Sequence, residues 1–230
     1  MLMAQKVKNV TGFEVMPHIC CRDKNAIAMR STFLGASIND INNFLIITGD
    51  PIPVMARQVV KSVFNFDSVG LMRIADEMNS EALKDSPLTY GGAINQSRRR
   101  IESEIKRVQK KMEAGAEFFL TQPVFTAEDA ERLRRVKEET GARILCGIMP
   151  LVSRKNALFM KNEISGVNVT DEVIERYPEN ADREDGENVG VELAKEMIAA
   201  TRDFADGYYF SFPFNRTYLL KRIIEAVSYT

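Results

Sequence analysis

Hydrophobic residues along the chain alternate between short continuous runs and longer runs of helical spacing, and this alternation repeats six times. A continuous apolar run is typical of a strand buried on both faces, whereas spacing of three and four residues is typical of a helix lying on a sheet. The predicted strands are residues 13–20, 44–48, 88–94, 118–123, 144–149 and 207–212. The predicted helices are residues 26–38, 69–78, 98–114, 127–140, a divided helical region over 155–204, and 218–227. The order predicts an α/β fold with a parallel sheet.

Two features favour a closed barrel over a doubly wound sheet. No predicted strand is followed by a G-x-G-x-x-G turn or a phosphate-binding loop. Polar residues instead follow strand after strand, as in the active site of a (β/α)₈ TIM barrel. They are His18, Asp50, Asn95, Gln122 and the pair Asn215 and Arg216. About six βα units are counted rather than eight, and residues 1–12 read as the end of a helix, so we expect the first two units to be missing.

Composition narrows the function classes. The 230 residues are 45% hydrophobic, which suits one core, so residues 1–230 are expected to form a single domain. With 31 basic and 32 acidic residues the net charge is -1, which gives no reason to expect nucleic acid or a membrane surface as partner. No apolar run approaches the ~18–20 residues of a membrane span, and we expect a cytoplasmic protein. The three cysteines lack metal-ligand spacing, so no metal site and mostly buried, inert thiols are predicted.

The last third contains a long non-periodic stretch rich in acidic residues and asparagine, residues 168–190. Thr170 with Asp171, and the segment 185–188, have the composition of helix starts. We therefore predict short helices and a surface loop here rather than a domain boundary.

Each strand-end motif has an ordinary structural explanation beside a functional one. A lone histidine such as His18 is more often structural than catalytic. Asp50 follows a buried strand, where an acid can serve chemistry, yet Gly-Asp-Pro is also a common turn. Two glycines in "YGGAIN" indicate close approach of a ligand or of another backbone. The Gln122 amide suits a heterocycle that donates and accepts hydrogen bonds, or it ties down its own loop. Arg216 suits an anionic or carbonyl-rich ligand.

Taken together and in this order, the motifs resemble the methylenetetrahydrofolate reductase family. The segments that carry the resemblance are "MPHICCRDKN", "IITGDP", "GGAIN", "AGAEFFLTQPVF", "GIMPLVS" and "FPFNR". The similarity extends over nearly the whole chain and is greatest to the reductase half of bifunctional enzymes that also carry a homocysteine S-methyltransferase domain. Such a domain in a longer chain is therefore one expected partner.

The resemblance implies a flavin-containing (β/α)₈ barrel. Such enzymes pass a hydride from NAD(P)H through FAD to the folate substrate 5,10-methylenetetrahydrofolate, giving 5-methyltetrahydrofolate for methionine synthesis. It implies that His18, Thr48, Gly49 and Asp50 line the flavin, and that the Asp50 carboxylate faces developing charge in a dry pocket.

The resemblance also implies further cofactor and substrate contacts. Ala93 and Asn95 approach the FAD, and Glu104 and Lys111 contact its ribose and diphosphate. An E-x₆-K pair on a charged helix face is otherwise usually solvated. The residues implied in substrate binding are Gln122, Asn156 and Arg216. The family often has glutamine in place of Asn156 and an aromatic residue in place of Met160.

The sequence departs from the family pattern at the catalytic glutamate. The family's first strand carries a catalytic glutamate in a Phe-Glu-Phe-Phe-Pro-Pro-like motif that is absent here. Glu14 begins a predicted strand and is no substitute, because it would lie at the opposite end of the barrel. We therefore expect an N-terminally truncated barrel, and a homo-oligomer that covers exposed sheet edges. The alternatives are a catalytically incomplete fragment that binds flavin or folate, and a pterin-binding barrel of the methyltransferase type.

Overall fold

The computed structural model describes residues 1–164, 166–180 and 182–228. Its strands are β1 (His18–Cys20), β2 (Asn43–Ile47), β3 (Thr89–Ile94), β4 (Phe118–Pro123), β5 (Ile144–Ile148) and β6 (Gly207–Phe210). Its α-helices are α1 (Leu2–Thr11), α2 (Ala26–Ser37), α3 (Ser68–Ser80), α4 (Ile101–Glu113), α5 (Ala127–Thr140), α6 (Arg154–Glu163), α7 (Asp171–Glu175), α8 (Arg183–Thr201) and α9 (Tyr218–Ser228). Short 3₁₀ turns lie at Val54–Ala56 and Pro213–Asn215. Each strand is followed by at least one helix.

The strands form one parallel six-stranded sheet in which the strand order is the chain order, β1 to β6. In its register His18 of β1 lies opposite Leu45 of β2, and Asn43 of β2 lies opposite Thr89 of β3. Leu145 of β5 lies opposite Gly207 of β6. Because parallel strands all point the same way, the residues that follow their C-terminal ends emerge at one edge of the sheet.

Five of the six predicted strands are confirmed to within two residues at either end, but the first is wrong at its start. Residues 13–17 are not in the sheet, and β1 begins only at His18. Pro17 has no N–H to donate, and its carbonyl alone joins the ladder, accepting from the Leu45 N–H at 3.2 Å. Phe13 is exposed. Glu14 accepts from the side chain of Asn43, the first residue of β2, so it lies at the N-terminal end of the strands, as expected.

In the stretch where short helices and a loop were expected, α7 is short, with five residues, but α8 is long. It begins two residues before the predicted segment, where the side chain of Asp182 accepts from the Asp185 N–H at 2.9 Å, and it continues for 19 residues. A Cβ on Gly190 would lie 2.1 Å from the Leu151 carbonyl oxygen, so this glycine lets the helix approach that backbone closely. The predicted helix start at Thr170 is confirmed, because its side chain caps α7.

The chain divides into two compact units, which are Met1–Ala93 with Arg107–Phe119, and Ile94–Lys106 with Leu120–Thr230. In the first, the rings of Phe33 and Phe44 meet edge to face at 5.3 Å in the core. In the second, Leu133, Val136 and Ile144 are completely buried. The expectation of a single domain over residues 1–230 stays a prediction.

Helix α1 ends at Gly12, whose φ of 71° is left-handed, as the sequence predicts. No residue of α1 is buried: Lys8 donates to the Asp40 carbonyl at 2.6 Å in an exposed contact, and Met3 and Val10 are exposed. Within the ranges that the structure describes, no helix combines the length and the hydropathy needed to span a membrane.

Candidate functional site

The residues that follow β2 in the first unit are held by their backbone neighbours. Thr48 accepts the Ser68 N–H on its hydroxyl at 3.1 Å, at the first residue of α3. Gly49 has a φ of 90°, and a Cβ there would lie 3.0 Å from the Cβ of Cys20. The Asp50 carbonyl accepts from the Arg22 guanidinium at 3.2 Å. The Asp50 side chain is exposed, so its surroundings within this unit are solvent rather than the dry pocket that we expected.

His18 opens β1 instead of closing it, which corrects its expected position at a strand end. It pairs with Leu45, three residues before Thr48, and its side chain is exposed. Desolvation by the surrounding chain nevertheless lowers the pKa of the imidazole and so favours its neutral form. The residue at the C-terminal end of β1 is Cys20, whose thiol donates to the Asp23 carboxylate at 3.4 Å.

Lys111 lies along the end of β3 in the same unit. It is only 4% exposed, and its ammonium donates to the Ala93 carbonyl. Its Cδ would be 2.9 Å from a Cβ on Gly92. A Cβ on Gly91 would lie 2.4 Å from the Phe118 ring and 2.6 Å from the Phe118 backbone oxygen, so the space beside the paired glycines is filled by neighbouring side chains and backbone of the chain itself. The alternative that Lys111 is a solvated residue on a charged helix face is therefore wrong.

Glu104, in the first turn of α4, is also buried, with 2% of its surface exposed. One carboxylate oxygen accepts the backbone N–H of Asn95 at 3.0 Å, and the other lies 2.9 Å from Nε of Arg98. The side chain of Asn95 accepts the Ser97 N–H at 3.0 Å and forms a local turn. In the second unit these bonds fix the chain where it leaves β3, and the solvated alternative is wrong for Glu104 too.

Gln122 lies near the end of β4, and its backbone is held by a residue that sequence reasoning missed. Gln96, completely buried, donates to the Gln122 carbonyl at 3.0 Å and accepts the Gln122 N–H at 3.2 Å. The Thr121 hydroxyl also donates to the Gln122 carbonyl, at 2.7 Å. The side-chain amide of Gln122 is half-buried and makes no hydrogen bond to any residue in the described part of the chain.

Asn156 and Arg216 are both engaged in local contacts within the second unit. The Asn156 side chain accepts the Val152 N–H at 3.2 Å, and its own N–H donates to the Ser153 hydroxyl, which caps α6. Arg216 lies 2.9 Å from the carboxylate of Glu187 and 5.8 Å from the centre of the Phe214 ring.

Glu187 is the centre of an ion-pair network on α8. It accepts from Arg183 at 2.9 Å and from the Tyr218 hydroxyl at 2.5 Å, in addition to Arg216. Burial acts to raise the pKa of this carboxyl, but the hydrogen bonds from Tyr218 and Arg183 and the charge of Arg216 lower it overall. The backbone before Arg216 is left-handed at two consecutive non-glycine residues, Phe214 and Asn215, with φ of 57° and 56°.

The comparison with known families is decisive. The sequence profile of methylenetetrahydrofolate reductase matches residues 1–227. The chain belongs to the methylenetetrahydrofolate reductase family. No curated protein matches it by sequence.

Solved structures are similar to this member of the methylenetetrahydrofolate reductase family in fold. One is an uncharacterized protein from Clostridium thermocellum that binds two copies of 5-methyl-5,6,7,8-tetrahydrofolic acid. It is 15% identical, with a TM-score of 0.52 and 98% of both chains covered. Another is 2,3-dimethylmalate lyase, a PEP mutase/isocitrate lyase superfamily member, 16% identical with a TM-score of 0.52, covering 98% of this chain and 63% of that one. The fold is thus α/β of the (β/α)₈ TIM-barrel family, with six βα units in the described residues.

In this methylenetetrahydrofolate reductase family member, the residues missed from the sequence are those that act on backbone or on other charges. Gln96 stands next to the motif residue Asn95, yet nothing in its spacing distinguishes it. Glu187 lies in the non-periodic stretch, where acidic residues look like a solvated surface. Only the tertiary contacts identify the two residues.

Proposed function

We propose that the chain catalyses the FAD-dependent reduction of 5,10-methylenetetrahydrofolate to 5-methyltetrahydrofolate, with NAD(P)H as hydride donor and residues 1–230 acting as one domain. Membership of the methylenetetrahydrofolate reductase family over residues 1–227 supports a reductase acting on a folate. The Clostridium thermocellum protein of similar fold, which binds 5-methyl-5,6,7,8-tetrahydrofolic acid, supports a folate ligand.

The observation that carries the proposal is the state of Gln122. Its backbone is bonded on both sides, yet its half-buried amide makes no hydrogen bond within the described residues. A primary amide offers a donor and an acceptor side by side. Pterin and nicotinamide rings both present complementary donors and acceptors, so Gln122 is proposed to bind each in turn.

The first unit offers residues suited to the flavin. Gly49 and Asp50 follow the end of β2, and Lys111 provides a cation at the end of β3 that suits a diphosphate. Thr48, Gly49, Asp50, Ala93 and Lys111 would hold FAD, and His18, Asn95 and Glu104 complete the proposed set. Glu104 suits an indirect role best, because its carboxylate already binds the Asn95 N–H and Arg98. When bound, FAD would supply hydride transfer between nicotinamide and folate.

Asp50 is the carboxylate proposed to act at the reacting centre. An acid at the end of β2 would stabilise a cationic iminium form of the substrate and disfavour negative charge on a neighbouring ring. Asn156 and Arg216 are proposed to contact the folate. Arg216 would have to exchange part of its contact with Glu187 for the ligand, since the two are 2.9 Å apart.

A second candidate function is folate binding without reduction. The Clostridium thermocellum neighbour favours it, because the ligand named for that protein is a methylated folate.

The two candidates are separated by a visible spectrum of the 230-residue chain after equilibration with FAD and removal of free flavin. Anaerobic NADH or NADPH is then added, followed by 5,10-methylenetetrahydrofolate. A bound flavin that is bleached by the nicotinamide and recovers with the folate supports the reductase. Binding of 5-methyltetrahydrofolate with no bound flavin supports the second candidate and overturns the first. Binding of neither ligand at high micromolar concentration overturns both.

Gln122→Ala tests directly whether the Gln122 amide binds the folate ring. Loss of its hydrogen bonds to the ring should weaken 5-methyltetrahydrofolate binding about tenfold. Gln109→Ala, on the exposed side of α4, is the matched control and should bind like the wild type. Equal affinities for all three proteins would remove Gln122 from the proposed site.

A further inference from the structure

Gln96 is buried completely and is bonded to the end of β4 by its whole side-chain amide. Nε2 donates to the Gln122 carbonyl at 3.0 Å and to the Pro123 carbonyl at 3.3 Å. Oε1 accepts the Gln122 N–H at 3.2 Å. The amide thus pairs with both backbone groups of one residue, as a neighbouring strand would. A buried glutamine with all its bonds made to one short segment restrains that segment strongly.

Gln96 is itself held in place from its own backbone. Nε of Arg132, on α5, donates to the Gln96 carbonyl at 2.6 Å, and the same guanidinium donates to the Arg98 carbonyl. Glu104 binds the N–H of Asn95, the residue before it. The loop between β3 and α4 is therefore fixed on both sides of Gln96.

The other polar groups at this strand end are also occupied. The Thr121 hydroxyl accepts the Gly147 N–H at 2.9 Å while donating to the Gln122 carbonyl. The Tyr209 hydroxyl donates to the Thr121 carbonyl at 2.6 Å. Among the described residues around the end of β4, these bonds leave the Gln122 amide with capacity for a ligand, and they fix the backbone from which it projects.

We propose that Gln96 is a positioning residue that sets the direction of the Gln122 side chain toward a planar heterocycle with adjacent donor and acceptor groups. The inference rests on the proposed function, in which Gln122 binds that heterocycle. A directional pair of hydrogen bonds tolerates little displacement, so a shift of the Gln122 backbone lowers ligand affinity even when the fold is retained.

The test is a double-mutant cycle between Gln96→Glu and Gln122→Ala, read as the Kd for 5-methyltetrahydrofolate. Glutamate at position 96 keeps the shape and one acceptor, but it cannot donate to the two carbonyls. In the Gln122 background we expect it to raise Kd about tenfold. In the Gln122→Ala background we expect no further change, because the group that Gln96 positions has been removed.

A milder variant keeps the test decisive if Gln96→Glu does not fold. Arg132→Ala removes the bond to the Gln96 carbonyl and leaves the buried amide intact, and it should raise Kd about threefold, again only when Gln122 is present. Arg135→Ala is the matched control on the same helix, because Arg135 forms surface ion pairs with Glu102 at 2.8 Å and with Glu139 at 2.6 Å. It should leave Kd unchanged.

The outcomes separate the two proposals. If Gln122→Ala weakens binding and the effect of Gln96→Glu or Arg132→Ala is the same with and without Gln122, the positioning role is overturned while the function of Gln122 stands. If Gln122→Ala binds like the wild type, the proposed role of Gln122 fails and the positioning role fails with it. A loss of affinity confined to the Gln122 background supports both.

Discussion

The carboxylate of Glu104 accepts the backbone N–H of Asn95 at 3.0 Å from within the first turn of α4, with 2% of the residue exposed. Glu104, which in the sequence looks like part of a charged helix face, thus fixes the backbone where the chain leaves β3. Its neighbour Glu102 has the opposite environment, since it is exposed and pairs with Arg135 at 2.8 Å.

Replacing Glu104 with alanine should cost about 2–3 kcal/mol in the free energy of unfolding, because the Asn95 N–H loses its buried acceptor. Glu104→Gln keeps an acceptor oxygen and should cost clearly less. Urea denaturation of the two variants measures the difference. Glu102→Ala is the control and should leave the midpoint almost unchanged. Equal losses for Glu104→Ala and Glu102→Ala would contradict the assigned contact.

Gly49→Ala should destabilise the chain by about 2–4 kcal/mol, through the cost of a left-handed backbone and through crowding against Cys20. Gly141, which ends α5 with a φ of 67°, has no atom within 4 Å of an added Cβ. Gly141→Ala should therefore show only the backbone cost, roughly 1–2 kcal/mol. Chemical denaturation of both variants gives the comparison, and a larger loss at Gly141 would argue against the packing at Gly49.

Only Cys20 should react quickly with a thiol reagent in the native protein at pH 8. Burial raises the pKa of Cys21 to about 12 and that of Cys146 to about 12, so only ~1 in 10⁴ of these thiols is ionised at that pH. A disulfide-exchange reagent followed by absorbance should therefore count one fast thiol, and all three in denaturant. Cys20→Ser should abolish the fast phase. Two fast thiols in the native protein would show that one of the two strand environments opens.

The contribution of Asp129 to stability is expected to decrease as pH rises, which is unusual for a carboxyl group. Desolvation raises the pKa of this completely buried carboxyl in the folded chain, despite bonds from the Phe125 N–H and the Asn168 amide. The folded state then holds the proton more tightly than the unfolded state. Its contribution to stability is full below the unfolded value of 3.8 and is lost as pH rises. The stability of the wild type minus that of Asp129→Asn should fall from pH 4 upward.

Asp203 provides the control of opposite sign. The hydrogen bond from Arg134 lowers the pKa of its carboxyl, so the stability that it contributes is present at higher pH and is lost as pH falls below 3.8. The stability of the wild type minus that of Asp203→Asn should rise with pH over the acid range. Denaturation curves from pH 3 to 7 measure both differences. Slopes of the same sign for the two variants would contradict the assignment for Asp129.

The periodicity of the sequence was sufficient for most of the fold. Continuous apolar runs predicted β2 to β6 because burial on both faces leaves no room for alternation. Ile101, Ile105, Val108 and Met112 predicted α4 because they recur on one helix face; the first three are buried and Met112 is partly exposed. The start of β1 and the length of α8 were wrong. Pro17 has no N–H to donate to the ladder, and α8 continues through Gly190, which packs closely against the Leu151 carbonyl.

The sequence by itself determined the family, the α/β fold and the segments at or after the ends of β2, β4 and β6 that contain Asp50, Gln122 and Arg216, because these follow from local order along the chain and from motif spacing. Only the tertiary structure decided what each side chain binds. In the tertiary structure Glu104 accepts the Asn95 N–H and Lys111 donates to the Ala93 carbonyl, both at the C-terminal end of β3. The buried amide of Gln96 is hydrogen-bonded to the backbone of Gln122. The physical reason is that such hydrogen bonds join residues far apart in sequence, for example the 26 positions between Gln96 and Gln122, and no local pattern specifies their partners.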